Sequence, residues 1–364
     1  MREALSTTAG PEPATGRLRE ILISKDSRFK NLFDSLQSAQ LALAPKQDCI
    51  YQYPSASQTT AVHNATANNE ALRHALATAT HGDQTVALPI AAHMYFLGSI
   101  ATRLAAFRWT RKKAISEALD IIAVCIDRGA LSAALLQSRA SLEQAGGLLL
   151  FDKDIAGIPK PSSDNAARTQ WLVAVNAALG SRAKGMRIDW EDVLAKGLRQ
   201  GRSKSYKPAE GVQSLEARDL MKGIDALDRE IKGTRKVYDF LSEFAHPNIG
   251  IFSLGIEDFA HETLKSGLRI YTRTYSAKGR GAYVTEQLAS IFFETLEVVH
   301  AVSALAQQSD TRLGTLESDL TLQSRSAIRT ILRLYPWTTK RTDPCPCFSG
   351  RIADACCGRR LRLG

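Results

Sequence analysis

At 364 residues the chain is long enough to form one large domain or two of ordinary size and to bury a substantial core. Hydrophobic residues make up 44% and charged residues 23%, which are ordinary values for a soluble globular protein. The N-terminal sequence has no apolar segment of signal-peptide length, and the most membrane-like stretch, 86–102, holds Pro89 and His93 and is too short for a convincing span. Cys49 and Cys125 lie far apart and form no spread disulfide framework, so we expect a cytoplasmic protein without a membrane partner.

Helical sequence patterns dominate the chain as far as residue 335. One segment, RIYTRTYSA at 269–277, alternates and is rich in strand-forming residues, which predicts a short hairpin or an extended arm. The economical architecture is an all-α helical bundle with a small C-terminal tail. The predicted domains are an N-terminal helix with a flexible connection (1–66), a helical body (67–312), a linker helix (313–340) and the tail (341–364). The predicted helices are 17–42, 68–80, 87–109, 112–127, 130–151, 165–180, 189–198, 213–245, 284–309 and 317–335.

Two charged residues stand in an otherwise apolar helical segment, GALSAALLQSRASLEQAGGLLLF. They are Arg139 and Glu143, and on a helical wheel they lie on or beside the arc formed by Leu135, Leu142, Gly146 and Leu149. A charge on a core-facing stripe is unfavourable unless it is paired and hydrogen-bonded. The i,i+4 spacing allows the two residues to pair, but Arg before Glu is the weaker orientation. We therefore expect a further polar group to complete the network.

The best candidate for that further group lies in the segment VYDFLSEFAHPN. Tyr238, Ser242 and His246 recur every four residues and so share one strip of a helix. The proline that follows His246 predicts the end of this helix, where the macrodipole favours a charged histidine. We expect the strip to face the charged pair of the apolar helix, either as a structural network that sets helix register or as a functional site.

The segments SRASLEQ and YDFLSEFAHP, taken together, resemble a group of bacterial helical proteins related to the HEPN superfamily, over about residues 110–255. Many HEPN proteins are ribonucleases of toxin–antitoxin and antiphage systems, with an Arg and a His separated by four to six residues on one helix. In this chain Arg235 and His246 have ten residues between them. The resemblance implies a metal-independent ribonuclease in which His246 is the general acid/base and Arg139 stabilises the phosphorane-like charge. The supporting residues of that site are Glu143, Tyr238, Ser242 and Glu243.

The C-terminal tail contains four of the six cysteines, within the sequence DPCPCFSGRIADACCGRR. They are Cys345, Cys347, Cys356 and Cys357. Four thiolates can surround Zn²⁺ tetrahedrally at about 2.3 Å, and such a closed site is structural because catalytic zinc keeps an open position. A segment this short has almost no core, so metal binding must supply its folding free energy, about 10–16 kcal/mol in zinc-finger peptides. The alternative is a redox-active thiol cluster without metal.

The sequence CPCFSGRIADACCG resembles the SEC-C motif, a zinc-binding tail first recognised at the end of the preprotein translocase motor. All four cysteine positions match the motif, and Phe348 replaces its first glycine. The other matching residues are Pro346, Ser349, Gly350 and Gly358. The resemblance implies a small zinc knuckle that docks on a protein or on the ribosome.

Positive charge is concentrated at the C-terminal end. From Arg325 onward there are nine Lys and Arg residues against Asp343 and Asp354, a net charge of +7 in a chain whose total is +10. Such clusters attract nucleic acid or acidic protein surfaces. We therefore expect a zinc-binding protein whose tail docks it on a protein, ribosome or RNA partner, with the ribonuclease as the alternative. The sequence leaves the oligomeric state open.

Overall fold

The structure, a computed structural model, describes residues 17–49, 97–158, 220–245, 256–275 and 286–334, with isolated positions at 171, 175, 178, 179, 196, 341, 342, 352, 354 and 355. The described part of the chain is mostly helical, as predicted, and also contains one two-stranded sheet. The elements are α1 (Arg17–Lys25), α2 (Arg28–Leu43), α3 (Leu97–Asp127), α4 (Leu131–Ala156), α5 (Leu220–Glu230), α6 (Thr234–Ala245), β1 (Ile256–Thr263), β2 (Arg269–Tyr275) and α7 (Glu286–Leu334).

Three predicted helices fall wholly or mainly outside the described residues. The helix expected at 68–80 lies entirely outside them. Those expected at 165–180 and 189–198 are described only at Trp171, Val175, Ala178, Leu179 and Lys196, and all five positions are helical.

The chain divides into two compact units, each assembled from three segments of sequence. The first unit combines 1–45, 111–146 and 223–307, and the second combines 46–110, 147–222 and 308–364. Helices α3, α4, α5 and α7 contribute residues to both units.

An aromatic cluster marks the core of the first unit. The Phe29 ring of α2 lies 5.2 Å from the Phe293 ring and 6.3 Å from the Phe292 ring of α7, between centroids. Helical spacing places the buried residues of α2 on one face. These residues are Phe29, Leu32, Phe33, Leu36 and Leu43.

Aromatic packing also marks the second unit, where the Phe107 and Phe151 rings of α3 and α4 lie 4.9 Å apart between centroids. Phe151 is fully buried, so the apolar side of α4 continues to the end of the helix. Other buried residues of this unit are Leu104, Leu148, Leu313 and Leu320.

The single helix predicted over 17–42 is two helices, because Asp26 interrupts it. The Asp26 carboxylate accepts the backbone N–H of Arg28 at 3.0 Å and also pairs with the Arg28 guanidinium at 2.6 Å. A short acidic side chain that bonds a nearby backbone N–H competes with a continuous helical ladder. The second helix therefore starts at Arg28.

A similar interruption separates α5 from α6 within the segment predicted as one helix, 213–245. Gly233 has a φ of 94°, a left-handed conformation that favours glycine and ends a helix. The Asp228 carboxylate accepts the backbone N–H groups of Gly233 and Arg235, each at 3.0 Å. The Asp228 carboxylate thus provides acceptors for backbone N–H groups at the start of α6, which begins at Thr234.

Two predicted interruptions are absent, since α3 and α7 each run through them without a break. Thr110 is helical, and its hydroxyl donates to the carbonyl of Ala106 at 2.9 Å within the helix. In α7 the predicted gap between 309 and 317 is helical, and Asp310 within it pairs with Arg108 of α3. By contrast, the predicted boundary between the helices 112–127 and 130–151 is confirmed. Helix α3 ends at Asp127, and Gly129, just after it, has a φ of 72°.

The strand predicted over 269–277 is confirmed as β2, and it pairs antiparallel with β1, which the sequence analysis missed. One stretch of α7 among the described residues, Leu288–Thr321, is long and apolar enough to cross a membrane, with a mean hydropathy of 1.5 in its most apolar window. That window is 44% buried, and the core helix of a water-soluble protein meets the same criterion.

Candidate functional site

The polar site predicted from the sequence is built on the apolar face of α4. Leu135, Leu142 and Leu149 of that face are buried, as is Gly146. Arg139 lies on the same face, with its side chain only 19% exposed, and the Glu143 side chain is 26% exposed. The helix therefore carries two charges into a largely apolar surface, and both require partners.

Arg139, Glu143 and Tyr238 form a closed hydrogen-bonded triangle, which we call the Arg139 triad. Arg139 Nε donates to Glu143 Oε1 at 3.0 Å, and Arg139 Nη2 donates to the Tyr238 hydroxyl at 3.1 Å. The Tyr238 hydroxyl in turn donates to the same Glu143 oxygen at 3.0 Å. The guanidinium carbon lies 5.1 Å from the centroid of the Tyr238 ring, which adds a cation–π contact.

Helix α5 packs closely against α4 through one glycine from each helix. A Cβ atom built on Gly146 of α4 would lie 3.0 Å from the backbone carbonyl carbon of Gly223 of α5, so the two backbones meet directly. Gly146 therefore allows the close packing of α4 against α5. The turn at Gly233 then leads into α6, where Tyr238 is 4% exposed and contacts α4.

The environment shifts the pKa values of Tyr238 and Arg139. Burial raises the pKa of the Tyr238 phenol, and the neighbouring Glu143 carboxylate reinforces the shift against the opposing effect of Arg139. Burial alone would lower the pKa of Arg139, but its bonds to Tyr238 and Glu143 outweigh that effect and raise it. At neutral pH Arg139 is therefore a guanidinium cation and Tyr238 a neutral phenol.

The other predicted members of this site are placed differently. The Ser242 hydroxyl donates to the carbonyl of Tyr238 at 2.8 Å, within its own helix, and contributes to the backbone of α6 rather than to the triad. Helix α6 is described as far as Ala245. His246 lies outside the described residues.

The four predicted zinc ligands also lie outside the described residues. They are Cys345, Cys347, Cys356 and Cys357. Among the residues that the structure describes, no group of three or more His, Cys, Asp or Glu is arranged to hold a metal ion.

A second polar cluster, in the second unit, was not found from the sequence. Arg108 of α3 pairs with Asp310 at 2.7 Å and with Glu317 at 2.5 Å, both on α7. Gly314 makes room for this guanidinium, since a Cβ there would lie 2.8 Å from Arg108 Nη2. Nothing in the sequence distinguished Asp310 from the other acidic residues of α7, and Arg108 was hidden among other basic residues in FRWTRKK.

A neighbouring pair joins α7 to α4 within the second unit. Arg312 Nε donates to the nearly buried carboxylate of Asp152 at 2.8 Å, and its Nη2 also reaches the Ser309 hydroxyl at 3.2 Å. Both clusters place an arginine against a carboxylate that is less than 10% exposed. Such pairs hold helices in register, because removing one member leaves a buried charge uncompensated.

Comparison of the chain with protein families, with curated proteins and with solved structures finds no match. The triad is therefore interpreted from its contacts. Arg139 uses two of its donors within the protein, and Tyr238 both donates and accepts inside the triangle. A network closed in this way favours a role in fixing the packing of α4 against α6.

Proposed function

We propose that the protein is a cytoplasmic zinc-binding protein whose SEC-C tail docks it on a protein, ribosome or RNA partner. The observation that carries the proposal is the spacing Cys345-x-Cys347-x8-Cys356-Cys357 in a tail of high positive charge. Four thiolates suit Zn²⁺, and a four-thiolate site is closed, so the metal would hold the tail rather than act on a substrate.

One backbone contact supports the zinc part of the proposal. The N–H of Asp354 donates to the carbonyl of Arg341 at 3.1 Å, so the chain between these residues returns on itself. The first cysteine pair follows Arg341 by four and six residues, and the second follows Asp354 by two and three. A site with ligands from both sides of a loop requires a reversal of this kind.

Charge supports the docking part of the proposal. Four arginines, at positions 351, 359, 360 and 362, surround the cysteines in sequence. The described residues of the tail are all exposed, and they include Ile352, an apolar side chain that is 48% exposed. A small knuckle with exposed apolar and basic residues suits an acidic partner surface better than a buried role.

Elemental analysis of protein purified under reducing conditions tests the metal site. We expect one zinc per chain, lost in Cys345→Ser and in Cys357→Ser, while the helical circular dichroism signal is kept. Cys49→Ser and Cys125→Ser are matched controls, because these half-buried thiols lie outside the motif. Parent protein without stoichiometric metal would remove zinc from the proposal and leave the metal-free thiol cluster.

Copurification from cells, with and without ribonuclease treatment, tests docking. We expect a retained partner that is lost when Arg359 and Arg360 are both changed to Ala. Sensitivity to ribonuclease would identify RNA or the ribosome, and resistance would identify a protein. Equal recovery with the parent and the double variant would show that the basic tail does not dock.

The alternative proposal is a HEPN-type metal-independent ribonuclease, acting as a toxin or antiphage effector. The ribonuclease ranks second, because the guanidinium of Arg139 is already hydrogen-bonded to Glu143 and Tyr238. An enzyme would lose RNA cleavage in His246→Ala while its thermal stability stayed near that of the parent. Purified parent protein that leaves RNA intact would end this alternative.

A further inference from the structure

An apolar groove lies open on the first unit, between α3 and the helices α1 and α2. Its volume is about 250 Å³, and its base consists of buried apolar side chains. These are Phe33 and Leu36 of α2 and Leu119, Ile122 and Ile126 of α3. Pockets for small molecules usually measure about 300–1,000 Å³. The groove is smaller than that range, so it suits apolar side chains that project from a larger partner.

The side of the groove formed by α3 has an apolar middle and an acidic residue at each end. Its exposed or half-buried lining residues are Asp120, Ala123, Val124 and Asp127, whose helical spacing places them on one side of α3. Val124 is 42% exposed, and Ile121, next to Asp120 in sequence, is 41% exposed. Exposed apolar side chains that cluster beside a polar rim are typical of interaction sites.

The charge of the groove is opposite to the charge of the whole chain. Among its described lining residues there are two carboxylates, Asp120 and Asp127, and one cation, Arg19. A third carboxylate, Asp34, lies beside the groove and pairs with the same arginine. The chain as a whole has a net charge of +10. A surface of this kind repels nucleic acid and attracts a cationic partner.

Arg19 is only loosely held beside these carboxylates. Its guanidinium lies 3.9 Å from an oxygen of Asp34 and 3.9 Å from an oxygen of Asp127, which is too far for a hydrogen bond. It also lies over the Phe33 ring, 5.0 Å from the centroid. The two carboxylates are 65% and 46% exposed, and exposed ion pairs contribute little to stability. An incoming cation can therefore replace Arg19 beside Asp127 at little cost.

We propose that this groove binds a cationic amphipathic helix of a partner protein. The apolar residues of that helix fill the base of the groove, and its Lys or Arg residues pair with Asp120 and Asp127. These two carboxylates are seven positions apart on α3, which is two helical turns or about 10 Å along the axis. The same groove of a second copy is excluded as the partner, because its carboxylates would face those of the first. The proposal is independent of zinc and of docking by the tail.

Fluorescence anisotropy tests the proposal with the full-length protein and a labelled amphipathic peptide of leucine and lysine, about four helical turns long. We expect the parent protein to bind it several-fold more tightly than the same peptide with glutamate in place of lysine. Asp120→Asn/Asp127→Asn is expected to weaken binding about three- to tenfold, because two exposed charge pairs are lost. Val124→Ser should weaken it about threefold, through lost apolar burial. Arg19→Gln should strengthen it about twofold, because the competing cation is removed.

Two controls change residues outside the groove. Glu294→Gln/Glu297→Gln alters the net charge by the same amount at exposed carboxylates of α7, and Leu41→Ser removes an apolar side chain that is 61% exposed. Both should bind the leucine–lysine peptide like the parent.

Equal losses in the two charge variants, weaker binding by Arg19→Gln, or a preference for the glutamate peptide would overturn the proposal. So would a parent protein that binds no leucine–lysine peptide, a result that leaves docking by the tail untouched. Circular dichroism and thermal melts establish that each variant folds.

Discussion

The Tyr238 hydroxyl donates a 3.0 Å hydrogen bond to the Glu143 carboxylate, joining residues 95 positions apart in the chain. The bond ties α6 to α4, and Arg139 closes the triangle from the helix that carries Glu143. Since Tyr238 is 4% exposed, the phenol has little access to water as a replacement partner. The geometry of the Arg139 triad therefore predicts how the free energy of unfolding changes when one of its residues is substituted.

Arg139→Met is expected to destabilise the protein by about 2 to 3 kcal/mol, because it leaves the part-buried Glu143 without its cation. Urea denaturation measures this as a loss in the free energy of unfolding. The double variant Arg139→Met/Glu143→Leu should be more stable than the single one, since an apolar pair replaces an unpaired charge. A double variant whose loss equals the sum of two large single losses would contradict a structural network.

Tyr238 also predicts the behaviour of the protein at alkaline pH. Burial raises the pKa of its phenol above the unfolded value of about 10. Above pH 10 the unfolded chain releases this proton while the folded chain keeps it, so the free energy of unfolding falls as pH rises towards the folded pKa. Below pH 10 the contribution of this group is constant.

Tyr238→Phe removes this titration and supplies the control. Its free energy of unfolding should decline less steeply above pH 10 than that of the parent, and the effects of the other tyrosines cancel in the comparison. Parallel curves for the two proteins would show that the Tyr238 phenol does not titrate differently on folding.

Part of this architecture could be predicted from the sequence. A charged pair in the apolar α4 required a partner, and the four-residue spacing of Tyr238 and Ser242 located the helix that supplies it. Spacing could not separate the two side chains, however, because both lie on one strip and only Tyr238 is long enough to reach across. The four-residue helical spacing identified the strip, and the distance across to α4 determines that Tyr238 rather than Ser242 joins the triad.

The errors have a common physical origin. The sequence predicted a break in α7 between 309 and 317, but the Arg108 guanidinium from α3, 202 positions away in sequence, pairs with the Asp310 carboxylate inside a continuous helix. In contrast, Asp26 and Asp228 bond backbone groups a few residues away and do interrupt helices. Sequence alone does not distinguish an acidic residue with a distant partner from one that caps the local backbone.

Gly146→Ala is expected to destabilise the protein by about 1 to 3 kcal/mol, the usual effect of overpacking. The added Cβ would meet backbone atoms of Gly223 at 3.0 and 3.1 Å, and backbone cannot move aside as a flexible side chain can. Gly157→Ala is the control, because its Cβ would make only ordinary contacts at 3.4 and 3.5 Å. Calorimetry of both variants checks the difference, and a Gly146→Ala protein as stable as the parent would show that the α4–α5 contact is looser than described.

Arg108→Ala is expected to destabilise the protein by roughly 3 to 5 kcal/mol, since it removes a cation from two carboxylates in a part-buried cluster. Asp310 and Glu317 have side chains that are 10% and 29% exposed, so water replaces the guanidinium poorly. Arg235→Ala is the matched control, because Arg235 also pairs with two carboxylates, Asp225 at 3.0 Å and Asp239 at 3.1 Å.

Those control carboxylates are 53% and 59% exposed, and exposed ion pairs contribute little to stability. Urea denaturation should therefore show a large loss for Arg108→Ala and little change for Arg235→Ala. Added salt should leave the Arg108→Ala loss nearly unchanged, because burial shields the cluster from screening. Similar losses for the two variants would mean that the Arg108 cluster is solvated like a surface pair and does not fix α3 against α7.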